Sequence, residues 1–191
     1  MAQGKRLAKQ TANPLPPVFS DWFAGRGWAP RAHQLDLLHA AQAGRSALLI
    51  APTGGGKTLA GFLPSLIELA QKTQNAARIR PYALHTLYIS PLKALAVDVA
   101  RNVIGPAEEM GLKLRIEPRT GDTPPSRRQR QRAHPPDMLL TTPEQLALLI
   151  ASDYASVFFA DLKAVIIDEI HTFAPTKRGD LLALALSRLQ A

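Results

Sequence analysis

The chain has 191 residues, of which 46% are hydrophobic and 20% charged, and it is long enough for one globular domain with a proper core. It contains no cysteine, which excludes a disulfide framework, a zinc finger and an iron–sulfur cluster. No apolar run approaches the length of a membrane span, and no apolar segment follows the basic residues at the start of the chain, so a secretory signal is excluded. We therefore expect a cytoplasmic protein with no membrane partner.

The basic charge of the chain is confined to two segments. The formal net charge is +8, from 23 Lys and Arg against 15 Asp and Glu. Residues 1–10 hold three basic side chains and no acidic one, and residues 113–134 hold seven basic and two acidic ones, which accounts for the whole excess. Clustered basic charge favours a polyanionic partner such as nucleic acid, although a solvated arginine-rich surface would have the same composition.

The first part of the chain combines a polar segment with two short helices. Residues 1–16 are polar and basic and lead into a proline-rich run, which predicts a disordered lead-in. Apolar residues at helical spacing predict a first helix around Val18–Phe23, ended by Gly25. A second predicted helix opens at Pro30 and stops at Gly44, with proline and glycine in their usual places.

From residue 46 onward, short apolar runs alternate with helical patterns. The helical patterns cover residues 57–72, 91–103 and 143–151. The predicted strands are Ser46–Ile50, Leu84–Ile89, Leu112–Ile116, Met138–Thr141 and Ala164–Ile167. This alternation predicts an α/β fold over residues 17–191, with a parallel sheet covered by helices on both faces.

A glycine-rich loop follows the first predicted strand, where residues 51–58 read APTGGGKT. Glycines let successive N–H groups point at a phosphate, and the N-terminus of the next helix adds partial positive charge. Lys57 would reach the β- and γ-phosphates of a nucleotide, and Thr58 would offer its hydroxyl to Mg²⁺. Ala51 replaces the first glycine of the general motif, whereas Leu59 occupies the third glycine position of a dinucleotide-binding loop and disfavours that alternative. The residues predicted to hold the nucleotide are Gly54, Gly55, Gly56, Lys57 and Thr58.

Two acidic residues follow the last predicted strand. Asp168 stands at a carboxyl strand end, where a carboxylate can hold Mg²⁺ through water. Glu169 could orient and deprotonate an attacking water molecule. A solvated acidic pair at a strand end is common, but together with a glycine loop on the same sheet it indicates nucleotide hydrolysis. A kinase that uses such a loop has less need of a water-activating glutamate, so it is disfavoured.

With both motifs in view, the chain after residue 15 resembles superfamily 2 helicases, and most closely the ligase-associated DEXH-box branch of the Lhr (large helicase-related) type. Residues 51–58 resemble motif I, in which the leading alanine is normal, and Asp168–His171 resembles the DEXH box of motif II. Between them lie, in order, matches to motif Ia at 91–95, to a Thr-Gly-Asp segment at 119–124 and to motif Ib at 142–146. The resemblance implies a RecA-like P-loop NTPase fold with ATP and Mg²⁺ as cofactors.

The resemblance also implies roles for residues outside the two main motifs. Gln34 and Pro30 resemble the Q motif, whose glutamine reads the adenine edge; the alternative is that Gln34 is solvated on an amphipathic helix. His171 would couple the nucleotide site to motif III. The nucleic-acid contacts implied by the resemblance are Pro91, Lys93, Thr120, Gly121, Asp122, Thr142 and Pro143. Arg127 and Arg128 begin a basic cluster that either extends this track or forms a mobile surface helix.

Helicases of this class have two RecA-like lobes, and the chain resembles only the first. Motif III has no counterpart here, and neither does its strand, which lies between the motif I and motif II strands, so we expect a lobe truncated after motif II and inactive alone. The leading hypothesis is the ATP-binding lobe of an ATP-dependent helicase or translocase. DNA is favoured over RNA as substrate, and DNA-repair proteins are expected as partners at the nucleoid. The alternatives are an RNA helicase of the DEAD-like kind and a nucleotide- and nucleic-acid-binding module without turnover.

Overall fold

The computed structural model describes residues 14–52, 54–74 and 82–190. In this part of the chain, parallel strands form one sheet in the order β2-β3-β1-β4. The strands are β1 (Thr86–Ile89), β2 (Ile116–Arg119), β3 (Met138–Thr141) and β4 (Ala164–Ile167). The predicted bounds of β3 and β4 are confirmed, and β1 occupies the end of its predicted run.

Helices connect and cover these strands. They are α1 (Pro17–Gly25), α2 (Ala32–Gln42), α3 (Lys57–Gln74), α4 (Lys93–Glu109), α5 (Pro125–Ala133), α6 (Pro143–Ile150), α7 (Ala155–Phe158), α8 (Ile170–Phe173) and α9 (Lys177–Gln190). Proline opens α1, α5 and α6, where its missing N–H has no intrahelical partner to lose. Among the described helices, none combines the length and apolar character that crossing a bilayer requires.

Two hydrophobic cores lie on opposite faces of the sheet. On one face, Tyr88 and Leu140 pack with apolar residues of α1, α2, α3 and α4. On the other face, Leu87 and Leu139 pack with residues of α6, α7, α8 and α9. Neighbouring strand residues serve opposite cores because successive side chains of a strand point to opposite faces. The predicted α/β fold with helices on both faces is therefore confirmed.

The strand register brings the carboxyl ends of all four strands to one edge. Ile89 of β1 pairs with Thr141 of β3 and with Ile167 of β4, and Thr141 pairs in turn with Arg119 of β2. The residues that follow these strands therefore emerge side by side. In parallel α/β sheets this edge is where ligands bind.

Two of the predicted strands are wrong or displaced. Residues 46–50 have no regular secondary structure, and Leu48 and Ile50 are 69% and 87% exposed. A strand needs a neighbouring strand with which its backbone groups can form hydrogen bonds. Within the described residues, β4 pairs only with β1 and its other edge has no partner, so residues 46–50 have no strand beside them. The alternating run at 112–116 yields a strand only from Ile116, which pairs with Met138.

The predicted disordered lead-in at residues 1–16 lies mostly outside the described part, which begins at residue 14. Leu15 is buried and belongs to the core beside α1 and α3. Ordered packing therefore starts before Pro17.

Candidate nucleotide and nucleic-acid sites

The glycine loop has a backbone that other residues would resist. Gly54 and Gly56 both have φ of +75°, in the left-handed region that favours glycine. A Cβ on Gly55 would lie 2.8 Å from the Pro52 carbonyl oxygen, which accepts the Gly55 N–H at 3.0 Å. Thr53 lies outside the described residues. The predicted glycines thus form a tight turn directly before the N-terminus of α3, as a phosphate-binding loop requires.

Lys57 closes this loop on itself. It is the first residue of α3, and its Nζ donates a hydrogen bond to the Ala51 carbonyl oxygen at 2.9 Å. Ala51 and Lys57 therefore bracket the glycines. A phosphate entering the loop would replace this carbonyl as partner of the ammonium group, which is a stronger, charge-assisted interaction.

Gln34 is part of the loop's support. Its side chain is 3% exposed, so the alternative of a solvated glutamine is wrong. Its Oε1 accepts the Arg31 N–H at 2.9 Å, and its Nε2 lies 3.5 Å from the Gly56 carbonyl oxygen as donor. Arg31 reaches the same loop, with Nη1 3.4 Å from the Gly54 carbonyl oxygen. The N-terminus of α2 therefore holds the glycine loop from one side.

Asp168 is fixed at the end of β4 by three hydrogen bonds. Its N–H donates to the Ile89 carbonyl at 2.9 Å, which continues the pairing with β1. Its carboxylate accepts the Glu169 N–H through Oδ1 at 2.9 Å and the Tyr88 hydroxyl through Oδ2 at 2.5 Å. Burial, followed by this bond to Asp168, raises the pKa of Tyr88 well above its usual range, so the hydroxyl remains a donor. Tyr88 was missed at the sequence level because it reads as an ordinary strand aromatic.

Glu169 adopts an unusual backbone conformation. Its φ is +48°, and it is the only described residue other than glycine with a positive value. For an L-residue this conformation costs roughly 1–2 kcal/mol, and such strain concentrates at functional sites. Its side chain is partly exposed, and Oε2 lies 3.4 Å from Nδ1 of the exposed His171. The carboxylate therefore faces a position that water can reach.

The glycine loop and Asp168 lie at the same edge of the sheet. A Cβ on Gly61 of α3 would lie 3.4 Å from Cγ2 of Ile166, so α3 crosses β4. Lys57 precedes Gly61 by about one helical turn, and Asp168 follows Ile166 by two residues. The two motifs are thus brought together by the packing of α3 on the last strand.

The predicted metal ligands have the chemistry that Mg²⁺ prefers. Thr58 offers a hydroxyl and Asp168 a carboxylate, both hard oxygen donors. The described residues contain no group of three or more His, Cys, Asp and Glu side chains arranged to hold a metal ion.

A second site lies at the carboxyl ends of β1, β2 and β3. It is a cavity of about 550 Å³ lined by Pro91, Leu92, Gly121, Thr142, Glu144, Gln145 and Arg178. We call this cavity the strand-end groove. It brings together three of the predicted nucleic-acid contacts, Pro91, Gly121 and Thr142, from three separate motifs. Pro143 follows as the first residue of α6, whereas the side chain of Lys93 lies outside the described residues.

The Thr-Gly-Asp segment is shaped by its own hydrogen bonds. Thr120 is buried; its N–H donates to the Thr123 hydroxyl at 2.9 Å, and its hydroxyl oxygen accepts the Asp122 N–H at 3.3 Å. Arg128 donates to the carbonyl oxygens of Thr123 at 2.9 Å and Gly121 at 2.7 Å. Arg128 therefore supports the segment and is engaged by the protein itself.

The basic cluster lies on α5, and most of its arginines contact other groups of the protein. Arg130 pairs with Glu117 at 2.7 Å, and the Arg132 guanidinium lies 4.5 Å from the centre of the Tyr154 ring. Arg127 is exposed, and the described part of the chain offers it no ion pair. The cluster thus forms an anchored helix, in which Arg127 has the guanidinium most available to an external phosphate.

Arg178 was missed at the sequence level. Its Nε and Nη2 donate to Oε1 and Oε2 of Glu144 at 2.5 and 3.1 Å, a bidentate pair on the rim of the strand-end groove. The hydrogen bond from Arg178 lowers the pKa of Glu144, and the same bond raises the pKa of Arg178. A Cβ on Gly179 would lie 2.2 Å from the Phe173 carbonyl oxygen, so glycine is needed where the first turn of α9 packs against the end of α8. The only sequence signal near Arg178 is the neighbouring Gly179, because glycine is unusual in the first turn of a helix.

The sequence model of the DEAD/DEAH box helicase family matches residues 31–191. The Lhr helicase/probable uracil glycosylase of Mycolicibacterium smegmatis is 45% identical over 179 residues, which cover 88% of this chain and 12% of that protein. The Lhr helicase/uracil glycosylase of Escherichia coli is 43% identical over 93% of this chain and 12% of its own length. The chain therefore spans about an eighth of the length of these two curated relatives.

Solved structures give the same assignment. The Mycobacterium smegmatis helicase Lhr bound to ssDNA and AMP-PNP superposes with a TM-score of 0.78 at 43% identity, over 91% of this chain and 22% of that one. The DEAD-box helicase Mss116 bound to ssRNA and UDP-BeF superposes with a TM-score of 0.73 at 20% identity, over 88% of this chain and 34% of its own, and shares the fold. The predicted RecA-like fold and the resemblance to Lhr-type helicases are confirmed, whereas the ligase-associated branch stays a prediction.

Proposed function

Because the chain belongs to the DEAD/DEAH box helicase family, we propose that it is the ATP-binding lobe of an ATP-dependent DNA helicase or translocase. The observation that carries the proposal is the aligned carboxyl edge of the sheet. The glycine loop and Asp168 lie at one part of this edge and the strand-end groove at another. The two proposed sites, for nucleotide and for nucleic acid, therefore share the carboxyl edge of one sheet.

At the nucleotide site, each residue has a separate task. Lys57 leaves the Ala51 carbonyl for the β- and γ-phosphates, and the loop N–H groups bind the phosphate oxygens. Thr58 and Asp168 would hold Mg²⁺, which when bound neutralises phosphate charge. Glu169 accepts the proton of a water molecule that attacks the γ-phosphorus, while the bond to the bridging oxygen breaks and ADP leaves. Gln34 reads the adenine edge with the amide that now supports Gly56.

At the strand-end groove, the ligand is a single strand of DNA bound through its backbone. Thr142 and the N-terminus of α6 present a hydroxyl and partial positive charge, which suit phosphate groups. Arg178 adds a guanidinium on the rim, and Gly121 of the Thr-Gly-Asp segment lines the same groove. Thr120 and Asp122 flank Gly121 in the chain, and Arg127 lies farther along it. The Lhr structure bound to ssDNA supports DNA as the ligand, and the Mss116 structure bound to ssRNA makes RNA the second candidate.

We also place the protein in the cytoplasm, at the nucleoid when it is bound to DNA, with DNA-repair proteins as partners. Two relatives are named both as helicase and as uracil glycosylase, which supports a repair setting. Fluorescent tagging before and after DNA damage tests this placement, since an unchanged diffuse distribution would contradict it.

The decisive experiment measures ATP hydrolysis by the full-length protein with single-stranded DNA, with single-stranded RNA and with neither. Stimulation by DNA alone supports the proposal, and stimulation by RNA alone supports the RNA helicase. Binding of ATP without turnover under all three conditions supports the non-hydrolysing module. Lys57→Ala is the matched control in each case, because it removes the phosphate-binding cation and is expected to abolish nucleotide-dependent activity.

A further inference from the structure

Tyr88 links the interior of the domain to the nucleotide site. It is 1% exposed, and its ring stacks on Phe62 of α3 with centroids 5.1 Å apart. It pairs with Ile166 across β1 and β4, so Asp168, two residues farther on, lies on the same face of the sheet. The Tyr88 hydroxyl therefore reaches the Asp168 carboxylate along this face of the sheet and lies 2.5 Å from Oδ2.

The Asp168 carboxylate is held at both oxygens. The Tyr88 hydroxyl donates to Oδ2 and the Glu169 N–H donates to Oδ1, so rotation of the carboxyl group would break one or both bonds. Each oxygen has a second lone pair that these donors leave available. Phe62 fixes the phenol ring in turn, and it lies on the same helix that begins with Lys57.

We propose that Tyr88 is a positioning residue for the metal site: it orients the Asp168 carboxylate toward the magnesium ion of a bound Mg–ATP. This inference rests on the proposed function, in which Thr58 and Asp168 hold that ion. Partners that orient a metal ligand typically contribute about 10–100-fold to metal affinity. Tyr88 does not touch the nucleotide, so its effect acts through Asp168 alone.

The test separates the hydroxyl from the ring. Tyr88→Phe keeps the stacking on Phe62 and removes one oxygen atom. In the full-length protein, binding of AMP-PNP is measured by calorimetry over a series of Mg²⁺ concentrations. We expect the Mg²⁺ concentration needed for half-maximal tightening to rise about 10–100-fold, with nucleotide affinity in the absence of Mg²⁺ unchanged. A Mg²⁺ dependence equal to that of the parent protein would overturn the inference.

Tyr154→Phe is the matched control, because this tyrosine also has a hydrogen-bonded hydroxyl, 3.3 Å from Nη2 of Arg119. It lies apart from the nucleotide loop, and its Mg²⁺ dependence should equal that of the parent. In an Asp168→Asn background, Tyr88→Phe should cause no further change in Mg²⁺ dependence. An additional loss there would overturn the inference, since it would mean that Tyr88 acts by another route.

Folding and the proposed function are checked separately. If Tyr88→Phe does not fold, 3-fluorotyrosine at position 88 keeps the ring and strengthens the hydroxyl as a donor. A several-fold fall in the Mg²⁺ midpoint then supports the inference, because the stronger donor holds the carboxylate more firmly, and an unchanged or raised midpoint overturns it. If the parent protein binds AMP-PNP no more tightly with Mg²⁺ than without, the proposed metal site itself fails. That result differs from a parent that responds to Mg²⁺ and a Tyr88→Phe variant that responds equally.

Discussion

The strand-end groove and the glycine loop are built in different ways. The groove follows three paired strands, and Thr120, Thr141 and Thr142 are all buried at 5% exposure or less. The glycine loop follows residues 46–50, which have no strand neighbour among the described residues and leave Leu48 and Ile50 exposed. Side-chain bonds from Lys57, Gln34 and Arg31 hold the loop instead.

This difference assigns different mechanical roles to the two sites. A groove positioned by sheet hydrogen bonds and two cores changes shape only if the domain unfolds locally. A loop positioned by a few side-chain contacts can exchange those contacts for phosphate oxygens at little cost. We therefore expect the proposed nucleotide site to be the adaptable part of the lobe and the strand-end groove its rigid part.

The largest expected effect is on ATP hydrolysis at the proposed nucleotide site. Glu169→Gln in the full-length protein should keep ATP binding and reduce hydrolysis by about 10²–10⁴-fold, because it preserves shape and removes the base. Lys57→Ala should abolish nucleotide binding or turnover, because the loop loses its cation. Neither change should alter binding of single-stranded DNA without nucleotide. Hydrolysis at the parent rate by Glu169→Gln would show that Glu169 is not the base.

The next effect compares the stability of the two regions directly. Leu139→Ala, at a fully buried position of β3, should lower the free energy of unfolding by about 2–5 kcal/mol. Ile50→Ala, at a position that is 87% exposed, should change it by less than about 0.5 kcal/mol. Urea denaturation of the 191-residue chain measures both. A large loss of stability from Ile50→Ala would show that residues 46–50 are packed in solution, and the two regions would then no longer differ in this respect.

These regions also differ in how far the sequence could predict them. The continuous apolar runs of β3 and β4 predicted both strands, although only β3 is buried along its whole length. Ser46–Ile50 has the same kind of run, yet a strand also needs a neighbour to pair with, and none of the described strands pairs with these residues. The local hydrophobic pattern of a segment indicates that it tends to be buried, but it does not indicate whether another strand is present to pair with it.

The candidate sites show the same limit. Motif spacing identified Lys57, Asp168 and Thr142 because their chemistry is encoded in adjacent residues. Tyr88 and Arg178 could not be identified in this way, since their partners Asp168 and Glu144 are 80 and 34 residues away. Arg128 was assigned to nucleic acid by charge alone, whereas the structure shows it bound to carbonyl oxygens of the Thr-Gly-Asp segment.

A smaller effect tests which arginines contact DNA at the groove. Arg178→Ala should lower the slope of log affinity for single-stranded DNA against log salt by about 0.7, the value for one lost phosphate contact. Arg127→Ala should act in the same direction. Glu144→Gln should tighten DNA binding, because it frees the guanidinium of Arg178 and removes a carboxylate from the rim.

Arg130→Ala is the matched control for these variants. Unlike Arg178, it does not line the strand-end groove, and its guanidinium pairs with Glu117, so the salt slope should stay unchanged. Fluorescence anisotropy of a labelled oligonucleotide, measured over a range of KCl concentrations with the full-length protein, gives the slopes of the four variants and of the parent protein. Equal slopes for Arg178→Ala and the parent protein would remove Arg178 from the interface.

The smallest effect concerns the amino-terminal edge of the sheet, opposite both sites. His85 precedes β1 and is 4% exposed; its Nδ1 lies 2.8 Å from the Thr86 hydroxyl and its Nε2 3.2 Å from Glu68. Burial lowers the pKa of His85 more than Glu68 raises it, with Lys72 adding to the lowering and Asp137 opposing it. The unfolded chain therefore binds a proton more readily than the folded domain. Stability should be full above the ordinary histidine pKa of about 6.5 and fall as the pH drops below it.

Substitution identifies the group responsible for that pH dependence. His85→Gln keeps a polar side chain at the position and removes its titration, so the loss of stability between pH 7 and pH 5.5 should shrink. The Glu68 pKa is also lowered, but protonation of Glu68 destabilises the fold only nearer its ordinary value of 4.5, below this window. Urea midpoints of the 191-residue chain at the two pH values give the comparison. His39→Gln is the control, because this exposed histidine should leave the pH dependence as it is, and an equal effect from both variants would contradict the assignment to His85.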